Sequence, residues 1–239
     1  AGLTYQEACA ALRRVIGNEA RRFGCLLKSE LLDAGDKDMY RALTDIKDGR
    51  FTMADEILVD SLRTLSQLLA KHYGKKVILL LDEYDVPLDK AFQGGYYAEM
   101  VSLLRNMLGG ALKTNPNLYF AVLTGCLRVA KESIFTGLNN MKVFSITDSD
   151  CDSYFGFTDG EVRELLSYYG LDDKYEVIKN WYDGYQFGDA DVYCPWDVIN
   201  YVDRLRGKKT LAPQNYWINT SGNDAVRYLI HKMGDGVLK

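Results

Sequence analysis

The chain has 239 residues, 47% of them hydrophobic and 26% charged, with a mean hydropathy of −0.20, the balance of an ordinary globular protein. A formal net charge of −4 and a calculated pI near 5.3 argue against a surface coated in basic side chains for nucleic acid. Five scattered cysteines (9, 25, 126, 151, 194) form no C-x-x-C pair, and only two histidines, His72 and His231, are present, so a zinc site is not expected.

No apolar run is long enough for a membrane helix, and the opening "AGLTYQEACA" has neither the basic lead nor the apolar core of a secretory signal. Unpatterned thiols point to a reducing compartment, so a cytoplasmic location is expected. The missing initiating Met suggests a fragment or a processed chain.

Thr4 and Glu7 form a T-x-x-E capping box, and Ala8, Ala11, Leu12, Val15 and Ile16 follow at helical spacing. A shorter helix is expected over 36 to 47, closed by Asp48-Gly49. A third is expected over 53 to 73, with Leu58, Leu62, Leu65 and Leu69 on one face and Gly74 as its stop. "KKVILLLDEYD" then gives five apolar residues without alternation, the pattern of a strand buried on both faces of a parallel sheet. A helix over 97 to 113 points Met100, Leu103, Leu104, Met107 and Leu108 inward. Further strands are expected at 118 to 125, "LYFAVLTG", and at 142 to 147, "KVFSIT". Helices between strands favour a doubly wound α/β sheet.

After about residue 150 the pattern turns helical. Thr158 and Glu161 form another capping box for a helix ending at Gly170, and a second helix is expected over about 172 to 182. "WYDGYQFGDADVYCPWDV" reads as a turn with a short hairpin. Pro195 suits the first turn of a helix reaching about 205, and Asn219 or Ser221 would cap a last one ending near 233.

The chemistry concentrates where the apolar strand runs into Asp82-Glu83-Tyr84-Asp85. Side chains at the carboxyl end of a parallel strand project into the crevice where ligands bind. An Asp there can hold Mg²⁺ through water, because Mg²⁺ prefers one or two carboxylates plus phosphate oxygens. The following Glu can act as general base for water attacking a γ-phosphate. On this reading Asp82 is the metal residue and Glu83 the base; the plainer alternative is an acidic loop at a helix N-terminus. The second strand ends in "LTGCLRVAKES". There Thr124 can offer a hydroxyl, and Arg128 a cationic fork to phosphate oxygens or an ion pair with Asp85.

The phosphate cradle itself is absent from these residues. Gly-Lys occurs at 74–75 and 207–208, but Lys76 and Lys209 follow where G-x-x-x-x-G-K-[ST] needs Ser or Thr.

Together, "VILLLDEYDVPL", "LTGCLRVAKESIFTGLNN", "YFGFTDGEV", "WYDGYQFG", "VYCPWDVINY" and "YWINTSGND" resemble the bacterial AAA-ATPase-like family, over essentially the whole chain from about Leu3. The resemblance implies an α/β fold: a doubly wound parallel sheet of P-loop NTPase type that lacks its P-loop strand, with a mostly helical C-terminal lid. The core would span 1–149 and a helical, winged-helix-like appendage 150–239. Members usually carry an N-terminal P-loop and often a nuclease-like C-terminal domain, so truncation at both ends is expected.

The resemblance further implies ATP and Mg²⁺ as cofactors, Asp82 and Glu83 as the Walker B pair, and Thr124 on the sensor strand. Arg128 becomes the phosphate or sensor arginine and Asp85 part of the nucleotide-binding set. The chain alone is expected to be inactive and to lack nuclease activity. Without the P-loop strand, a sheet edge beside 142–147 would be exposed, to be covered by a missing segment or by self-association. Two other readings stand beside this one. One is a regulatory or interaction module that does not hydrolyse nucleotide, and the other a DEAD-type helicase, disfavoured because the residues after 150 are too few and too helical for a second RecA-like domain. Trp181, Tyr182 and Tyr185 are expected to pack between core and appendage.

Overall fold

A computed structural model describes residues 4–125 and 141–217. The chain divides into two compact units, Ala1–Met141 and Lys142–Lys239.

The first unit opens with α1 (Tyr5–Arg21), started by the Thr4–Glu7 capping box. A short 3-10 turn (Gly24–Lys28) leads to α2 (Ala34–Thr44). The start of α2 is fixed by a second reciprocal box, Asp33 with Asp36, and Lys71 reaches both carboxylates. The helix expected over 36 to 47 therefore ends earlier. Asp48-Gly49, with φ of 51° and 74°, instead makes the tight turn between β1 (Ile46–Lys47) and β2 (Arg50–Phe51), because two left-handed residues suit a hairpin of this kind. Then come α3 (Asp55–Tyr73), stopped by left-handed Gly74, β3 (Val77–Leu81), α4 (Val86–Gly94), α5 (Tyr97–Leu112) and β4 (Leu118–Leu123).

β3 and β4 pair in parallel, with Ile78 opposite Phe120, Leu80 opposite Val122 and Leu81 opposite Leu123. Val77, Leu81 and Leu123 pack on a core built from buried Leu58, Leu65, Leu68 and Leu69 of α3 and Met100, Leu104, Met107 and Leu108 of α5. The other face is bare: Ile78 is 48% and Leu80 73% exposed, with Phe120 and Val122 exposed beside them. The expectation of a strand covered on both faces thus holds for one face only. Five apolar residues in a row state what a strand could bury, not what lies over it.

The strand expected at 142–147 does not form. Ser145 takes the carboxylate of Asp148 on its N–H at 2.6 Å, its hydroxyl meets that of Thr147 at 2.7 Å, and the N–H of Asp148 returns to the carbonyl of Ser145 at 3.0 Å. Local side-chain bonds of this type give the backbone an alternative to a ladder. Among the described residues the parallel sheet of the first unit therefore has two strands, beside the β1–β2 hairpin, and the architecture established is α/β with a parallel pair.

The second unit contains α6 (Asp159–Tyr168), α7 (Tyr175–Tyr182), the antiparallel hairpin β5 (Asp183–Phe187) and β6 (Ala190–Tyr193), and α8 (Pro195–Gly207). The Thr158–Glu161 box and Pro195 start their helices as expected. The core is Val162, Leu166, Leu171, Ile178, Tyr182, Tyr193, Val198, Tyr201 and Leu205. Asp159 is a polar anchor, accepting from the hydroxyls of Tyr175 and Tyr193 and from Arg163. The helix expected after 219 lies outside the described residues.

Candidate functional site

β3 ends at Leu81, and the chain turns sharply through Asp82, Glu83 and Tyr84 before α4 begins. One residue of the neighbouring strand, Thr124, holds that turn. Its N–H donates to the carbonyl of Leu81 at 2.9 Å and its carbonyl accepts from the N–H of Tyr84 at 3.0 Å, continuing the ladder past both strand ends. Its hydroxyl accepts from the N–H of Glu83 at 3.3 Å and donates to the carboxylate of Asp82. Four hydrogen bonds from a single residue fix the acid turn against the tip of β4.

Asp82 and Glu83 are both exposed at this rim, whereas Asp85 is buried at 4% exposure. Two of the three carboxylates therefore face solvent and the third is structural in position. Asp85 stands at the start of α4, its carbonyl accepting the N–H groups of Leu88 and Asp89 at 2.9 and 3.2 Å. Its carboxylate lies against Gly125, where a Cβ would come 2.7 Å from Asp85 Oδ1 and 2.8 Å from Tyr84 Cε1. The glycine directly after β4 is thus a close-approach position, and the sequence carries the signal, since a Gly at a strand end often marks such an approach.

Glu83 has a left-handed backbone, φ 52°, unusual for a residue with a Cβ. Such conformations cost of the order of 1–3 kcal/mol and persist where the surroundings impose them. Here the bonds from Thr124 on either side do so. Nothing in the residue types foretold this.

Thr124 donates its hydroxyl to the carboxylate of Asp82, so it is engaged within the turn rather than reaching outward on its own. Arg128 lies outside the described residues. The donor set at the rim is all oxygen: the Asp82 and Glu83 carboxylates and the Thr124 hydroxyl. Among the described residues no group of three or more His, Cys, Asp or Glu side chains could cage a metal. A site with one or two carboxylates fits Mg²⁺, which takes its remaining oxygens from water and phosphate. No helix among the described residues is long and apolar enough to cross a membrane.

A family model described as Predicted AAA-ATPase matches residues 4–135, more than half of the chain, with the acid turn and the tip of β4 inside the match. The chain belongs to the AAA-ATPase-like family. Among curated proteins, one described as "Uncharacterized protein in vnfD 5'region", from Azotobacter chroococcum mcd 1, is 33% identical over 150 residues. That alignment covers 62% of this chain and 27% of the relative, so the AAA-ATPase-like chain spans well under half of that protein's length. No solved structure matches it.

The aromatic block that opens at Trp181 divides. Tyr182 is buried within the second unit, its hydroxyl donating to the carbonyl of Gln214 at 2.9 Å and its ring meeting Tyr201 edge-on, whereas Trp181 and Tyr185 are half-exposed. Burial is found for Tyr182 alone, and within the second unit, because the chain leaves α7 at Tyr182 and the residues on either side follow different directions.

Proposed function

We propose that this chain supplies the magnesium-holding and water-activating half of an ATPase site. A phosphate-binding loop elsewhere in the intact protein supplies the other half, within a doubly wound P-loop-type sheet. The observation that carries this reading is the union of Asp82 with Thr124 across two parallel strand tips, with the carboxylates of Asp82 and Glu83 both open to solvent. Family membership supports it.

In this scheme Asp82, held in place by Thr124, would hold Mg²⁺ through water, and the ion would offset the charge of the nucleotide phosphates. Glu83 accepts the proton of the attacking water as its oxygen bonds to the γ-phosphorus and the bond to the β-phosphate oxygen breaks, giving ADP and phosphate. Asp85 shapes the turn from beneath. Arg128 is the candidate cation for the phosphates. The bare face of Ile78, Leu80, Phe120 and Val122, and the unpaired strand edges among the described residues, suit coverage by a further segment of the intact protein or by a second copy.

The test is steady-state turnover of Mg²⁺-ATP in the intact protein, beside Mg²⁺-ATP titration of the 239-residue chain. Turnover should fall by at least about a hundredfold on Glu83→Gln while nucleotide binding persists. Unchanged turnover refutes the base assignment, and tight binding by the chain alone refutes the division into halves. A non-hydrolysing regulatory module is the second reading. Nucleotide binding without turnover in the intact protein would select it.

A further inference from the structure

The stretch Trp181-Tyr182-Asp183-Gly184-Tyr185 carries the chain from α7 into β5, and the ATPase reading leaves it without a role. With Cys194 and Asp197 at the start of α8, and with Asn215 and Trp217, it lines a hollow of about 480 Å³. Small-molecule sites span about 300–1,000 Å³. Its lining residues include three half-exposed aromatics, Trp181, Tyr185 and Trp217, and two acids, Asp183 and Asp197, with no lysine or arginine among the described residues.

Both walls are held in place. Asp197 is 9% exposed, and its Oδ1 accepts the N–H groups of Tyr216 at 2.8 Å and Trp217 at 3.1 Å, which ties the 215–217 wall to α8. On the opposite wall the β5–β6 register slips between Asp183 and Tyr185, and Gly184 takes φ 139°, a conformation other residues rarely adopt. That bulge lets the consecutive residues 183, 184 and 185 all line the same space.

We propose that this hollow is a binding site for a guanidinium group, carried by an arginine side chain of a peptide or by a small guanidine. The faces of indole and phenol rings are negative and attract cations. A guanidinium is planar and weakly hydrated, so it stacks on such rings while forking two N–H groups onto a carboxylate. An ammonium is more strongly hydrated and cannot do both. Asp183 is the carboxylate for the fork: no lysine or arginine among the described residues pairs with it, whereas Asp197 already accepts two backbone donors. The same carboxylates repel phosphates and acidic side chains, which separates this site from nucleotide chemistry.

The three tryptophans of the chain are Trp181, Trp196 and Trp217; two line the hollow and the third lies on the first turn of α8, so intrinsic fluorescence reports on it. The 239-residue chain is titrated with Nα-acetyl-arginine amide, the lysine and citrulline counterparts, and an acetylated Gly-Arg-Gly amide. A saturable emission change with the arginine compounds is expected, at least about tenfold weaker with citrulline, which keeps the shape and loses the charge. Asp183→Asn should weaken arginine binding at least about fivefold at an unchanged melting temperature. Tighter binding of the tripeptide than of the amide identifies a peptide ligand; equal binding identifies a small guanidine. No saturable change, equal binding of citrulline and arginine, or an Asp183→Asn chain that binds like the parent overturns the proposal.

Discussion

Replacing Glu83 by glycine should make the protein more stable while removing the proposed base. At φ 52° a residue with a Cβ sits in a region that costs about 1–2 kcal/mol. Glycine is free of that cost but gives back about 0.4–1 kcal/mol through the greater freedom of the unfolded chain. Between the midpoints of these ranges the net gain is about 0.8 kcal/mol, an upward shift of the melting temperature of roughly 2–3 °C for a chain of this size. Glu83→Gln removes the same charge and keeps the side chain, so it should melt within about 1 °C of the parent. Asp48→Gly is the internal control: φ is 51° in a hairpin turn away from the acid turn, so a gain there should leave turnover in the intact protein untouched. The assay is thermal unfolding by circular dichroism of the four chains in one buffer, with ATP turnover measured on the matching intact proteins. If the Gly variant melts at or below the Gln variant, the left-handed turn carries no strain, and the trade of stability for a placed carboxylate is wrong.

Gly125→Ala should cost about 1–3 kcal/mol, because its Cβ would lie 2.7 Å from Asp85 Oδ1, and denaturant melts should show it without a change in slope. Leu80→Thr should change stability by no more than about 0.5 kcal/mol, since the side chain is 73% exposed; a loss near the 2–5 kcal/mol typical of emptied core leucine sites would mean the face is covered. The hydroxyl of Tyr175 and then the guanidinium of Arg163 hold Asp159 down to about 2, from an ordinary value near 3.8. A lowered carboxyl stabilises the fold above its unfolded value and loses that contribution as pH falls through the folded one. Stability should therefore drop between about pH 4 and pH 2, by no more than about 1 kcal/mol after solvent screening of this half-exposed group, and Asp159→Asn should flatten that part of the profile.

The local features were legible because their causes are local. Thr4 with Glu7 and Thr158 with Glu161 start helices through bonds that span three residues, and Gly74 stops α3 through its own backbone. The Asp33–Asp36 box does the same work with residues that do not match the usual T-x-x-E pattern, so the start of α2 was missed. "KVFSIT" has strand composition, but Ser145 and Asp148 satisfy its backbone locally, and propensity cannot rank the two outcomes. The outward placement of Asp82 and Glu83 followed from an apolar strand ending in acids. The inward placement of Asp85 did not, because it depends on a contact with Gly125, forty residues on and past the end of β4.

The same long-range contacts decide what the acid turn can transmit. Asp82 is bonded to the hydroxyl of Thr124, and the backbone of Thr124 is bonded on both sides to the chain that carries Asp82. A displacement of the carboxylate by a ligand must therefore either break the Asp82–Thr124 bond or carry the tip of β4 with it. Gly125 lies against Asp85, and Asp85 begins α4, so a moving tip also presses on that helix. The N–H groups of Tyr84 and Thr124 are the bonds that such a motion would stretch. A ligand acting on Asp82 through this coupling changes their hydrogen exchange, and Thr124→Val, which keeps the backbone ladder but cuts the hydroxyl's bonds to the Asp82 carboxylate and the Glu83 N–H, removes most of that change.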